Sequence, residues 1–513
     1  MRADLILLNA RILALGRRFP AADSVAVAGD RIIGVGPYSE IEALRGSGTK
    51  LIDCQGKTIT PGFHDAHVHL LSLASRLIGL DLTPSSVSSI AEIQQKIREK
   101  AAETPEGAWI RGSGYNEFYL LERRHPTRWD LDQATQRHPV KLTHRTGLAC
   151  VLNTLALTLA GITHETPDPP GGLIERDETG EPTGVLFGMD HWLEARIPRL
   201  DDEELERGMR LSEQFFLSSG ITTVQEATAH NDLGRWRFFG RTKKRGCFRP
   251  RIVFMVGYES LADLLEQGFY PGFGDGELRL GAVKLVAGMV RGRLEPEPEE
   301  LNEGVLLVHK AGFQAAIHAV EEEVVEAVTG ALEEAQRLFP RAEPRHRVEH
   351  CSECPPRLAE RLKRIGALVV SHPAFLYYNG DKYLAEVPLS KLPWLYPFRT
   401  LWEKGVRLAA SSDSPGVPLN PFDSMYSAVT RRTLSGRLLS PEQAITPRQA
   451  LWMHTSGGAY ASFEEGVKGS IEVGKLADLV VLSANPLEVP AEEMKEIKVE
   501  KTILAGRVVW ERG

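Results

Sequence analysis

Over residues 1–59 apolar and polar positions alternate in short runs, "DLILLNARILAL", "SVAVAGDRIIGVG" and the start of "KLIDCQGKTITPG", with turn residues between them. That period of two predicts β-strands. Residues 465–513 carry the same pattern in "GSIEVGKLADLVVLS" and "EKTILAGRVVW". Neither block alone offers enough apolar surface for a core, so both are expected to build one composite β-sandwich.

Residues 60–464 read differently. Short apolar runs recur as "PGFHDAHVHL", "GITTVQEA", "RIVFMVG", "GAVKLVAG", "GFQAAIHAV", "RHRVEHCS", "ALVVSHPA" and "VRLAASSDSP". Amphipathic segments such as "DDEELERGMRLSEQFFLSSG" lie between them, with Asp201 or Asp202 placed to cap the start and Gly220 to end the helix. Alternating strand and helix predict an α/β protein built on a (β/α)8 barrel. Roughly 140 residues separate the first strand candidate from the second, far more than a βα loop needs. A subdomain over about 72–210, with its own helix and loop patterns, is therefore expected to be inserted there and to cover the barrel mouth.

Composition narrows the function classes. Of 513 residues, 42% are hydrophobic and 25% charged, the balance of a globular chain. A formal charge of −7 supplies no basic footprint for nucleic acid or anionic lipid. No apolar run reaches the ~20 residues that span a bilayer. The amino-terminal stretch reads as a strand and lacks the cleavage site of a signal peptide. Five scattered cysteines, Cys54, Cys150, Cys247, Cys351 and Cys354, do not make a disulfide framework. A cytoplasmic protein acting on a small molecule is the expectation, with homo-oligomerisation left open.

The candidate chemistry sits at strand ends. Side chains two apart on a strand share a face, so His67 and His69 point the same way, together with Asp65, while His64 points toward the helices. A lone buried histidine is ordinarily a satisfied core residue, but two on one face suit a divalent metal. His318, His350 and Asp413 each close a later apolar run at its carboxyl end, where the sites of such barrels are assembled. Lys284 stands in the middle of a buried strand, where an ammonium is costly unless it is paired or loses its charge. Either a salt bridge or reaction of the neutral amine with carbon dioxide would answer that cost. "CSEC" at 351–354 is a single pair without partners, and ordinary packing is expected for it. His454 is expected on a helix outside the barrel.

"PGFHDAHVHL", "KLVAG", "AIHAV", "VEHCS" and "SSDSP" resemble, in order, the metal-binding signature of the amidohydrolase superfamily. "WIRGSGYNE", "HPTRWDLD", "NTLALTLAGI", "GGLIERDETGEPTGVL" and "GSIEVGKLADLVVL" resemble its long-chain branch, amidohydrolase family 3, which includes N-substituted formamide deformylases. The resemblance runs nearly end to end. It implies a distorted TIM-like barrel with a small sandwich from both termini. It also implies two divalent ions, zinc by default with iron or manganese as options. His67 and His69 would hold the first, His318 and His350 the second, and carboxylated Lys284 would bridge them. Asp413 would bind the first ion and, as the catalytic residue, move the proton from an activated water to a departing nitrogen, so that an amide-type, non-peptide C–N bond is cleaved. Tyr115, His144, Arg291, Glu321 and His372 are the candidate substrate contacts.

Some positions depart from that branch. Gly288 stands where relatives have an acid, Leu148 where they have histidine, and "HAVEEE" where they have His-Gly-Asp. These changes spare the metal set and bear on the substrate. "HAVE" at 318–321 also resembles the His-x-x-Glu of one-metal aminohydrolases, which makes deamination through Glu321 an alternative. That glutamate could equally begin an acidic first helical turn. An inactive relative serving as scaffold or regulator is a further alternative, against which all six ligand candidates are present.

Overall fold

A computed structural model of the chain describes residues 1–16, 22–189, 192–193, 195–290 and 292–513. It divides into two compact units, one of residues 1–69, 213–413 and 419–513, the other of 70–212 and 414–418.

The larger unit holds eight parallel strands in one sheet: Phe63–Val68, Ile221–Glu226, Arg251–Gly257, Leu278–Val286, Ala315–Ala319, Arg347–His350, Leu368–Ser371 and Arg407–Ala410. They lie side by side in chain order, and all eight coincide with the apolar runs picked out above. Their burial explains their composition, because a parallel sheet covered on both faces selects continuous apolar runs. Between the eighth strand and the first the ladder is replaced by individual bonds: Asp413 N donates to the His67 carbonyl at 3.0 Å, and Ser412 donates to Asp65 from its backbone N at 2.9 Å and from its hydroxyl at 2.5 Å. The sheet is thus a TIM-like barrel, nearly closed.

Helices between the strands start on recognisable signals. Asp232 caps Leu233–Lys244 by accepting from Arg235 N. Proline begins Pro298–Lys310, Pro356–Arg364 and Pro421–Thr430, where its missing N–H costs nothing. Of the two aspartates considered for Asp202–Ser218, Asp201 is the cap, since it accepts from Glu204 N at 2.7 Å. Gly220 follows with φ +76°.

Besides a two-stranded ribbon of Gly288–Val290 and Arg293–Glu295, two further sheets belong to this unit. One pairs Arg31–Gly36, Ser24–Ala28, Leu5–Leu8 and Lys50–Asp53 in that order. The other joins Arg11–Ile12 and Thr58–Pro61 to Leu479–Leu482, Val499–Leu504 and Arg507–Glu511. Leu479–Leu482 runs antiparallel to Thr58–Pro61, and Leu5, Val25, Ile59, Leu479 and Ile503 share one apolar cluster.

The smaller unit contains a mixed six-stranded sheet, in the order Leu173–Arg176, Pro182–Phe187, Ala149–Leu152, Val140–His144, Ile110–Tyr115 and Leu80–Asp81. The sequence reading found helices and loops there rather than a sheet. These strands are only two to six residues long, and Gly112, Gly114 and Gly184 interrupt them, so a clear period of two never develops. No helix among the described residues is long and apolar enough to cross a membrane.

Candidate metal centre

His67 is the penultimate residue of the first barrel strand and His69 lies just beyond it. The strand alternation that put them on one face is present, with their rings 5.3 Å apart at the centroids. His64 takes the opposite face and meets the segment around Gly458, where an added Cβ would lie 2.3 Å from the His64 Cβ.

Hydrogen bonds select the nitrogen each histidine offers. His67 Nδ1 lies 2.5 Å from a Glu349 carboxylate oxygen, so it carries the proton and donates. Its Nε2 then presents a lone pair 3.6 Å from Asp413 Oδ1, itself an acceptor. His69 Nε2 is 3.1 Å from the same oxygen, and its Nδ1 is 3.0 Å from the Thr228 hydroxyl. Two facing acceptors, His67 Nε2 and Asp413 Oδ1, fit a cation, and outer partners that fix the ligating nitrogen are what metal-bound histidines need.

His350 shows why backbone geometry matters. Glu349 and His350 are consecutive, and regular strand geometry would send them to opposite faces. His350 has φ +65°, in the left-handed region. Its ring turns to the same side as Glu349 and comes within 5.3 Å of His67 and 4.3 Å of His318 and of His372, measured between centroids. Asp413 also lies in the left-handed region, at φ +53°. Backbone strain of this kind clusters at functional sites.

Ligand atoms of His67, His69 and Asp413 lie within 4.8 Å of one another, and so do those of His350, His372 and Asp413. The two groups share Asp413. His318 belongs to neither, although its ring packs on His350. Lys284 is buried at 3% exposure.

Burial and charge together set the protonation states. Burial pushes the imidazoles of His67 and His350 well below their usual range, with Lys284 adding to the effect. Burial likewise lowers His318 to about 3 and His372 to about 4. Neutral imidazole is the ligating form. Burial lowers Lys284 to about 8 against the opposing pull of Glu349 and Asp413. Burial alone would raise Asp413, but its hydrogen bond to His69 and the nearby imidazoles hold it below the usual carboxylate range. Asp65 is pushed up to about 7 by burial, and its bonds are to Ser412 and His67 N.

The sequence reading missed the support beneath these ligands. Arg347 donates from Nε to Glu349 at 2.6 Å and from Nη2 at 3.0 Å, and also to Gln225 and to the Ala66 carbonyl at 2.7 Å. The signal was present in "RHRVEH", where two charged residues two apart share one face of a buried strand.

Glu321 immediately precedes the helix Glu322–Leu338, and the charged groups acting on it are Glu353, Glu323 and Lys391. Tyr115 and His144 lie in the smaller unit. There the Tyr115 hydroxyl is 3.0 Å from His125 Nδ1, and His144 Nε2 is 2.8 Å from Glu117. Arg291 lies outside the described residues. Cys351 and Cys354 are free and buried, and His454 sits in the π-helical segment Met453–Gly457 with Nε2 2.9 Å from the Ser424 hydroxyl.

Residues 50–510 match the model of an amidohydrolase family. An N-substituted formamide deformylase of Arthrobacter pascens is 28% identical, covering 99% of this chain and 98% of its own. The putative amidohydrolase YtcJ of Bacillus subtilis is 27% identical over 96% of both chains. In fold, the chain is similar to a metal-dependent hydrolase from Pyrococcus horikoshii, with a TM-score of 0.76 at 24% identity, covering 95% of this chain and 99% of that one. The chain belongs to the amidohydrolase family, as a hydrolase acting on carbon–nitrogen bonds other than peptide bonds.

Proposed function

We propose that this hydrolase cleaves a small amide, with His67, His69 and Asp413 holding one divalent cation and His318 and His350 holding a second. Lys284, as a carbamate, would supply a further oxygen ligand. The observation that carries the reading is the convergence of two groups of ligand atoms on one carboxylate, Asp413. Zinc is the first ion to test, since nitrogen and oxygen donors of this kind suit it.

A divalent cation in such a site lowers the pKa of water and polarises a carbonyl oxygen. The chain's own groups do the rest. Asp413 is ionised at neutral pH and can take a proton at its carboxylate, then return it to the departing nitrogen. Glu349 keeps the proton of His67 on Nδ1. A Lys284 amine lowered to about 8 has an appreciable neutral fraction near pH 7–8, the form that adds carbon dioxide.

N-substituted formamides head the substrate panel, because the relative from Arthrobacter pascens is named for them. The test is hydrolysis by the metal-loaded protein of N-formyl, N-acyl and cyclic amides. Turnover of at least one class is expected, and failure of all of them with metal bound would sink the amide reading. Substitution of Lys284→Ala is expected to lose one bound ion per chain. Unchanged stoichiometry would remove the carbamate from the proposal.

A further inference from the structure

His372 ends up buried at 0% exposure, one residue past the seventh barrel strand. Its Nδ1 is 2.8 Å from the Ser411 hydroxyl oxygen. That hydroxyl has one proton, and it donates to the Ser371 carbonyl at 3.1 Å. With its proton on that carbonyl, Ser411 accepts from His372, the arrangement that places the imidazole proton on Nδ1 and leaves a bare lone pair on Nε2. His372 Nε2 is buried with no hydrogen-bond partner. An unsatisfied buried acceptor of this kind costs ~1–3 kcal/mol and calls for an explanation.

Its neighbours supply one. The His372 ring is 4.3 Å from that of His350 and 5.3 Å from that of His67 at the centroids. Its ligand atom falls within 4.8 Å of those of His350 and Asp413. Three donors around one ion with bonds of ~2.0–2.2 Å stand roughly 3–4 Å apart, so small rotations close the set. No hydrogen-bond donor among the described residues reaches Nε2, and a cation satisfies a lone pair that has none.

We infer that His372 is a metal ligand, joining His318 and His350 at the second cation through Nε2, beside the Asp413 that both groups of ligand atoms share, with Ser411 fixing its tautomer. The inference rests on the proposed metal-dependent reading and deepens it, since it adds a seventh-strand ligand to the second position. It also separates His372 from the role of a mere substrate contact.

The test uses the full-length protein loaded with zinc, and separately with cobalt as a spectroscopic probe. Bound metal per chain is measured after gel filtration, affinity by competition with a chelator, and geometry by the cobalt d–d absorption. His372→Ala and His372→Gln are expected to lose the second ion, or to bind it at least 10-fold more weakly, with an altered cobalt spectrum. Ser411→Ala is expected to weaken the same ion, since outer partners of ligating histidines are typically worth ~10–100-fold in affinity. The glutamine variant preserves side-chain bulk, so it gives the reading if the alanine variant does not fold. Wild-type stoichiometry, affinity and spectrum in a folded variant, with only KM raised, would overturn the ligand role while leaving the metal-dependent reading intact. A wild-type protein that takes up no divalent ion would overturn both.

Discussion

Glu349 shows how one side chain can govern a site without touching substrate. It is fully buried, accepts from His67 Nδ1 and is paired with an equally buried Arg347. Replacing Glu349→Gln removes the charge that holds the His67 proton in place and leaves the guanidinium uncompensated. Metal affinity is expected to fall ~10–100-fold, and stability by ~3–5 kcal/mol, the usual cost of breaking a buried pair. Chelator competition and chemical unfolding measure the two separately. Unchanged metal affinity in a folded E349Q protein would show that Glu349 serves the fold alone.

At the scale of elements, packing tolerances and buried histidine pairs decide. Gly458 begins the helix Gly458–Ala461, and a Cβ there would meet the Cβ of His64 on the first barrel strand. In an exposed helix Gly→Ala gains ~1 kcal/mol. Here overpacking, ~1–3 kcal/mol or more, opposes that gain, and the clash falls on an atom fixed to a barrel strand. Gly458→Ala is therefore expected to lower the unfolding midpoint. A second element-level prediction concerns His309 and His346. His346 Nδ1 accepts from Ala315 N at 2.9 Å, and His309 Nε2 donates to the Phe339 carbonyl at 2.5 Å. The remaining bond, 2.7 Å between His346 Nε2 and His309 Nδ1, then requires both rings to be neutral. Burial lowers His346 to about 3, with His309 and Arg341 adding to the shift. Below pH ~6.5 the unfolded chain protonates this residue while the folded chain does not, so unfolding takes up protons and stability falls as pH falls. The slope is ~1.4 kcal/mol per pH unit for one such group between ~6.5 and about 3. His346→Asn is expected to flatten the slope of folding free energy against pH below 6.5, as measured by urea unfolding. An unchanged slope would mean that the pair does not titrate with folding.

For the whole molecule, the barrel seam is the feature that bears on the metal. The ladder is continuous from the first strand round to the eighth, and that pair is joined by the Asp413–His67 and Ser412–Asp65 bonds. The proposed ligands stand on both sides of this seam, so a bound ion would clamp it. Removing divalent metal with a chelator is expected to lower the thermal midpoint, because an ion at 100 times its Kd contributes ~2.7 kcal/mol to the folded state. Amide exchange should rise most at Phe63–Val68 and Arg407–Ala410. Exchange that rises evenly across the barrel, or not at all, would argue against a clamp.

What the chain determined unaided was periodicity and residue type. Eight apolar runs located eight barrel strands because a doubly covered parallel sheet leaves a local signature. His67 and His69 were legible as a pair because strand alternation is a local rule. The six-stranded sheet of the smaller unit was not legible, since short strands broken by glycine carry no period. Only the tertiary structure decided that His350 and Asp413 turn inward, because a left-handed backbone at those positions overrides the alternation the sequence implies. It alone brought Ser411 beneath His372 and Glu349 beneath His67, leaving each a free nitrogen aimed at Asp413 or His350. Hydrogen bonds between strands distant in sequence choose the tautomer, and no local pattern records that choice.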